Sequence, residues 1–389
     1  MASPVWDEQL TGEQSIGEAA PVDFLDQALA LAQSATYLTA PNPRVGCVLV
    51  GLGGGVIGRG HTQRAGGPHA EIMALNDAIA KGHSLKGATA YVTLEPCSHH
   101  GRTGPCCDAL IAAGIRRVVA SLADPNPLVS GQGFAKLRAA GVEVEMGAGA
   151  EHSRELNIGF FSRMVRKTPW VRMKAAASLD GKTALLNGRS QWITSEAART
   201  DGHAWRARSC AILTGIGTVL EDNPRLDVRF VDTPRQPYLV VVDSRLETPM
   251  DAHLFIAGRA LYIYAAVQNE EKKRALEARG ATVIYLPDHS PQIRGKVDLA
   301  AMLRDLGQRE VNELHVEAGE KLNGSLIQAG LVDEYLIYLA PKLLGHGRSI
   351  AHFGPLNDLV QAVPLEFKSC DRLGPDLRIV ARVDGRDQF

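Results

Sequence analysis

The tightest constraint on this chain is that three residues from separate segments, His69, Cys97 and Cys106, carry the donor set of one metal ion. His69-Ala70-Glu71 is followed by Pro96-Cys97 and then by Pro105-Cys106. One neutral imidazole and two thiolates suit tetrahedral Zn2+ and leave its fourth position open to water. A structural zinc site is normally closed by a fourth protein ligand. The pattern therefore points to hydrolysis, with Glu71 as a non-ligand carboxylate that moves protons between that water and a leaving amine.

The motif resembles the H-x-E and P-C-x-x-C signature of zinc-dependent base deaminases, with one departure. Eight residues, Ser98 to Pro105, separate the two cysteines here. Zinc fixes where the sulfurs end up and not how the chain travels between them, so the insert reads as a loop turning at Gly101 and Gly104. Pro105 opens a helix that places Cys106 at a helix N-terminus, where the dipole favours thiolate. Pro68 announces a second helix over 70–80, with Ile72, Leu75 and Ile79 expected inward. Residues two apart diverge in mid-helix, so His69 and Glu71 must both occupy its irregular first turn. Cys107 points about 100° away from Cys106 and reads as packing. His99 and His100 either meet substrate or lie on a solvated loop.

The chain has 389 residues, 45% of them hydrophobic, which is enough for two or three domains. A formal net charge of -1 provides no cationic field for nucleic acid. No apolar run reaches membrane-spanning length, and the segment before Gln27 has acids but neither Lys nor Arg, so a cytoplasmic protein is expected. Six cysteines in so long a chain make no disulfide framework, and Cys47, Cys210 and Cys370 are expected as core fillers. Residues 1–22 read as a loosely ordered leader. The first domain, residues 23–167, alternates helices and strands into a three-layer α/β fold and ends in one connecting helix over 151–166. Residues 168–389 form a second α/β domain with strands expected near 170, 211, 238, 261, 282, 313 and 335, and a helix N-capped by Ser195. No phosphate-binding G-x-G-x-x-G follows its first strand. Glycine turns at Gly215-Ile216-Gly217-Thr218 and at Gly319 are weaker candidates for close approach to phosphate.

Several longer stretches match one family: PNPRVGCVLV, AGGPHAEIMAL, AYVTLEPCSHHGRTGPCCDALIAAG, KAAASLDGKTA, GRSQWITS, ILTGIGTVLEDNPRL and VEAGEKLNGSLIQAGLVDEYLIYLAPKLLG. Across nearly everything after Asp23 the chain resembles the bacterial bifunctional riboflavin biosynthesis deaminase-reductases, whose long cysteine insert it shares. The resemblance implies a cytidine-deaminase-like domain followed by a dihydrofolate-reductase-like domain. It implies zinc-dependent removal of an amino group from a diaminopyrimidinone ribosylamine phosphate, then NADPH-dependent reduction of the ribosyl side chain to ribityl. His69, Cys97 and Cys106 would hold the zinc, and Glu71 would be the proton carrier. Asn42 either positions the pyrimidine or serves only its Pro-Asn-Pro turn.

For the reductase, the resemblance assigns NADPH contacts to Ala176, Trp192, Thr218, Asp222, Ser244 and the turn Gly319, Glu320, Lys321, Leu322, Asn323, Gly324 and Ser325, with Trp192 alternatively core. It assigns substrate contacts to Ser190, Arg206, Leu226, Arg229 and Glu317, the two guanidiniums suiting a phosphate, and Lys174 is a further candidate. The expected partner is a small phosphorylated pyrimidine, with no nucleic acid or membrane, in a homo-oligomer. A nucleic-acid deaminase with an appended nucleotide-binding domain, and a non-catalytic zinc module, are the competing readings.

Overall fold

The computed structural model describes residues 24–99, 104–127, 129–291 and 293–389. The expectations for the leader, His100 and Gly101 lie outside the described residues. The first sheet grows from β1 (Gly46–Val50), a continuous apolar run buried on both faces. Around it come α1 (Phe24–Ser34), β2 (Val56–His61), α2 (Ala70–Ala80), β3 (Thr89–Val92), α3 (Cys106–Ala112), β4 (Arg117–Ala120), α4 (Gln132–Ala139) and β5 (Glu143–Met146). The sheet order is β2-β1-β3-β4-β5, antiparallel around β1 and parallel from β3 to β5.

Of the expected inward positions of α2, Leu75 is buried and Ile72 packs partly buried against the core, but Ile79 is turned out. The buried positions of the helix are Ala70, Glu71, Ala74, Leu75 and Ala78, while Ile79 is exposed. At 100° per residue, Ala74, Leu75 and Ala78 fall within about 60° of Glu71, whereas Ile79 falls about 80° away. The buried stripe is centred on the carboxylate rather than on the isoleucines.

The single connecting helix is two, α5 (Ala150–Leu156) and α6 (Ile158–Arg166), broken at Asn157. Asn157 leaves helical geometry with φ -115° and ψ 16°, and its amide brackets the Arg44 main chain. Oδ1 accepts from Arg44 N at 2.7 Å and Nδ2 donates to Arg44 O at 2.9 Å. The break exchanges helix continuity for satisfaction of a buried peptide group.

Beyond α6 lie β6 (Trp170–Ser178), β7 (Lys182–Leu185), α7 (Glu196–Arg208), β8 (Ala211–Gly215), α8 (Ile216–Asp222), β9 (Tyr238–Val242), β10 (Leu261–Ala265), α9 (Glu270–Ala278) and β11 (Ala281–Tyr285). They are followed by α10 (Leu299–Gln308), β12 (Glu313–Val316), α11 (Glu320–Gln328), β13 (Glu334–Ala340), β14 (Gly347–Ser349), β15 (Leu365–Leu373) and β16 (Asp376–Val383). The second sheet runs β11-β10-β9-β8-β12-β6-β13-β16-β15, parallel through β13 and closed by an antiparallel hairpin; β7 pairs with β14 separately. Ser195 caps α7 by accepting from Ala198 N at 3.4 Å. Cys47 and Cys210 are buried as expected, but Cys370 is exposed because β15 is an edge strand open on both faces.

The two sheets meet on a buried charge network at the start of β12. Glu313 accepts from Arg44 at 2.7 Å, Arg172 at 2.9 Å and Arg208 at 2.8 Å. Arg172 also pairs with Glu334, which accepts from Arg382 at 2.8 Å, and Arg382 reaches Glu155 at 2.8 Å. Trp205 lies against Arg172, whose guanidinium is 4.4 Å from the ring centroid. Gly159 permits this approach, since a Cβ there would stand 2.6 Å from Asn312 O.

Burial alone would raise the Glu313 pKa, but Arg208, Arg44 and Arg172 outweigh it and hold it well below the carboxylate range. A depressed folded pKa means that the stabilisation is complete above the unfolded value and is lost as pH falls through the folded one. Glu313→Gln, which leaves guanidiniums unpaired, is expected to cost about 3 kcal/mol or more. In chemical denaturation the gap from wild type should hold steady between about pH 5 and 8 and narrow only under stronger acid.

Candidate active sites

The first candidate site is built at the end of the five-stranded sheet where β2 and β3 leave it. His69 occupies the N-cap position of α2, in extended geometry with φ -78° and ψ 169°, and Glu71 lies in the first helical turn. The irregular start of α2 thus lets residues two apart serve one centre. His69 Nδ1 lies 3.6 Å from Cys97 Sγ and 3.4 Å from Cys106 Sγ, and the three ligand atoms fall within 4.8 Å of one another. Cys106 begins α3, and its N–H donates to Cys97 Sγ at 3.3 Å.

The electrostatics fit a divalent cation. Cys97 is pulled down to about 4, chiefly by the hydrogen bond from the Cys106 thiol, while Cys106 is pushed up by the same contact. The pair shares a proton that a metal would displace. Glu71 is raised to about 7, first by burial and then by the Cys97 charge, and it is hydrogen-bonded to the Cys106 thiol. The result is a soft donor trio with a buried carboxylate of near-neutral pKa beside it, which suits Zn2+ and proton transfer. Cys107 packs away from the cluster and donates to Pro96 O at 3.1 Å; His99 is exposed.

Sequence reasoning missed Glu95, which holds this site from behind. Its buried carboxylate accepts from the main-chain N–H groups of Gly133 at 2.8 Å, Gly131 at 2.9 Å and Asp124 at 3.1 Å, tying the loop after β4 to the segment that carries Cys97. Its position immediately before Pro96-Cys97 was the available signal.

The second candidate site is a cleft of about 1430 Å³ at the carboxyl ends of β8, β9 and β12, where open parallel sheets bind ligands. Its lining brings together Ala176, Thr218, Asp222, Ser244, Gly319, Glu320, Lys321, Leu322, Asn323 and Ser325 from the cofactor set, and Ser190, Arg206, Leu226, Arg229 and Glu317 from the substrate set. Lys174 joins them. Gly319 precedes α11, so the helix start faces the cleft. Gly324 and Trp192 are not part of the lining. Gly324 is pressed against the main chain of His352, where a Cβ would meet the carbonyl oxygen at 1.8 Å, and Trp192 is 64% exposed beneath Arg199.

Arg206, expected against the substrate, lines the cleft and also braces Glu317. Its Nε and Nη2 fork onto Glu317, the latter at 2.9 Å, and Nη1 donates to Asp227 O at 3.0 Å. Those donors are committed within the protein, so Arg206 holds Glu317 in place. Burial would raise the Glu317 pKa, but Arg206 and Lys174 outweigh it and keep it ionised. Arg229 pairs with Asp227 through Nη1 and remains half exposed in the cleft lining. Leu226 takes φ +49°, an uncommon conformation for a branched side chain, and its carbonyl accepts from Arg259 at 2.7 Å. Asp243, also missed, shapes the turn that presents Ser244 by accepting from Thr248 N at 2.8 Å and Glu247 N at 2.9 Å.

Comparison with known proteins divides the chain in the same way. A model of the cytidine and deoxycytidylate deaminase zinc-binding region matches residues 20–122, and a model of the RibD C-terminal domain matches residues 169–379. The riboflavin biosynthesis protein RibD of Escherichia coli is 45% identical over 91% of this chain and 97% of its own length, and that of Aquifex aeolicus 41% identical over 92% and 97%. Among solved structures, Acinetobacter baumannii RibD superposes with a TM-score of 0.82 at 36% identity, covering 92% of this chain and 98% of its own. A diaminohydroxyphosphoribosylaminopyrimidine deaminase/5-amino-6-(5-phosphoribosylamino)uracil reductase from Thermotoga maritima gives 0.79 at 32%, covering 92% and 97%.

Cys97→Ser and Cys106→Ser are each expected to lower zinc content by roughly ten-fold or more from about one ion per chain, measured by elemental analysis of protein purified without chelator.

Proposed function

The chain belongs to the RibD family of riboflavin biosynthesis proteins, a bifunctional zinc-dependent deaminase and NADPH-dependent reductase, and from that premise we propose how its residues divide the work. The convergence of His69, Cys97 and Cys106 beside a buried Glu71 is the observation that carries the first half. Zinc held by those three residues supplies a Lewis acid that makes water nucleophilic near neutral pH. Glu71 takes the proton from the attacking water and returns it to the departing amine. A pKa near 7 suits a group that must both accept and donate. Asn42, on the turn entering β1, orients the diaminopyrimidinone. The domain boundary is taken at 167/168, just after α6.

In the second half NADPH supplies the hydride that reduces the ribosyl side chain. The main chain at the start of α11 and the hydroxyls of Thr218 and Ser244 hold the dinucleotide. The carboxylate of Glu317, fixed by Arg206 and Lys174, accepts from sugar hydroxyls, and Arg229 receives the substrate phosphate. Proximity and orientation provide most of the catalysis in this domain. The near-neutral net charge speaks against nucleic acid as substrate. No helix among the described residues is long and apolar enough to cross a membrane. Cytoplasmic operation follows from the small phosphorylated substrate and the NADPH it needs.

A homo-oligomer is part of the same reading. β15 ends the nine-stranded sheet and is open on both faces, with Phe367 72% exposed; just before it Leu359 is 91% exposed. An open sheet edge with exposed apolar side chains such as Phe367 needs a cover, and a second copy of the chain supplies it. Sedimentation is expected to show dimers or larger species for the wild type and a shift towards monomer for Phe367→Asp.

The decisive variant for deamination is Glu71→Gln. Ammonia release is expected to fall by on the order of a thousand-fold, while zinc content and NADPH oxidation on supplied deaminated substrate stay at wild-type levels. Unchanged ammonia release would remove Glu71 from the mechanism.

A further inference from the structure

The strand that ends in the reductase cleft begins at the deaminase. β12 leads at its carboxyl end to Glu317, and the residues at its other end, Asn312 and Glu313, reach into the first domain. Asn312 Nδ2 donates to Pro41 O at 2.8 Å, and its Oδ1 accepts from Arg163 Nε at 2.5 Å. Arg163 Nη2 also reaches Pro41 O, at 3.4 Å. Glu313 holds the Arg44 guanidinium at 2.7 Å, and Asn157 holds the Arg44 main chain from both sides. Pro41 and Arg44 flank Asn42.

The turn they flank stands at the metal end of the first sheet. Gly46, the first residue of β1, is in register with His61, the last of β2, and Thr62 N donates to Val45 O at 3.0 Å. Cys47 is in register with Val92, the last of β3, and Thr93 N donates to Gly46 O at 3.1 Å. From there the chain continues to His69 on one side and to Cys97 on the other. The Pro41-Asn42-Pro43 turn is thus held, at the end of the sheet from which the metal-binding segments leave, by side chains that belong to the connecting segment and to the reductase sheet.

We propose that Asn312 and Glu313, at the start of β12, are positioning residues for deamination, so that the reductase domain completes the substrate turn of the deaminase. Both proline rings in the turn lack an N–H, so the turn has few main-chain donors with which to stabilise itself. Asn42 N donates to Thr39 O at 2.9 Å, Asn157 of the connecting segment holds the Arg44 peptide, and the carbonyl of Pro41 and the Arg44 guanidinium are held across the domain boundary by Asn312 and Glu313. Loss of the Asn312 bond loosens the turn at Pro41 and leaves the zinc ligands untouched, because they lie at the starts of α2 and α3 and on the segment after β3. The effect belongs in substrate binding rather than in metal content or reduction.

This inference rests on the reading that Asn42 contacts the pyrimidine, and the test separates the two. Asn312→Asp keeps the acceptor for Arg163 but removes the donor to Pro41 O and sets a carboxylate against that carbonyl. In the full-length zinc-loaded enzyme, KM for the diaminopyrimidinone phosphate should rise about five-fold or more, the worth of one hydrogen bond. kcat should stay within about two-fold, a split expected when binding alone is lost. Zinc content and NADPH-dependent reduction of deaminated substrate should be unchanged. Asn42→Ala should raise the same KM at least as far. If Asn42→Ala raises KM and Asn312→Asp does not, the bracing role is wrong while the site reading survives. If Asn42→Ala leaves KM unchanged, the site reading falls and the bracing role with it. Parallel loss of zinc, deamination and reduction in Asn312→Asp would make Asn312 a general structural residue and overturn the proposal.

Discussion

Everything else in the structure hangs on Glu313, a buried carboxylate held by three guanidiniums from three different parts of the chain. Arg44 comes from the entrance to the first sheet, Arg172 from β6 and Arg208 from the end of α7. A single ion in that position would be costly to bury, and a single partner would barely offset desolvation. Three partners more than offset its charge, Glu334, Glu155 and Asp387 supply the opposing carboxylates to Arg172 and Arg382, and the network fixes the register between the two sheets. Apolar contacts between domains tolerate sliding; a forked set of ion pairs at fixed angles does not.

From that fixed frame both sites follow. On one side the start of β12 lies against the turn that enters β1, and β1 sets the positions from which the chain leaves for His69 and Cys97. On the other side β12 delivers Glu317 into the cleft between α8 and α11, where Arg206 and Lys174 hold it ionised. In each site a carboxylate, buried at Glu71 and partly buried at Glu317, has its protonation set by its neighbours. Glu71, desolvated beside a thiolate, titrates near neutrality, while Glu317, flanked by cations, stays charged. The difference matches a proton carrier in one reaction and a fixed hydrogen-bond acceptor in the other.

The chemistry was more legible in the sequence than the architecture that supports it. His69, Glu71, Cys97 and Cys106 were readable because zinc chemistry demands particular atoms, and the helix-start prolines located two of the segments that carry them. Most strands of the second sheet were readable as apolar runs. The break at Asn157 was not, because an asparagine within an amphipathic pattern does not announce that its amide will bracket a peptide from residue 44. The outward turn of Ile79 was hidden for a similar reason, since the helix is oriented by a buried acid that apolar periodicity ignores. Cys370 looked like core beside Leu365 and Phe367, whereas its strand is an open edge that also carries Glu366, Lys368, Asp371 and Arg372. The resemblance placed Arg206 against the substrate; it lines the cleft, and only the geometry adds that its fork holds Glu317.

The central claim is that one chain performs two reactions in a fixed order, each at its own end of this frame. Simultaneous recording of ammonia release and NADPH oxidation, starting from the diaminopyrimidinone phosphate, tests it most directly. NADPH oxidation should lag behind ammonia release, stop when zinc is chelated, and resume when deaminated intermediate is supplied to the chelated enzyme. Oxidation of NADPH that starts without a lag, or that continues from the diamino substrate with zinc removed, would contradict the account.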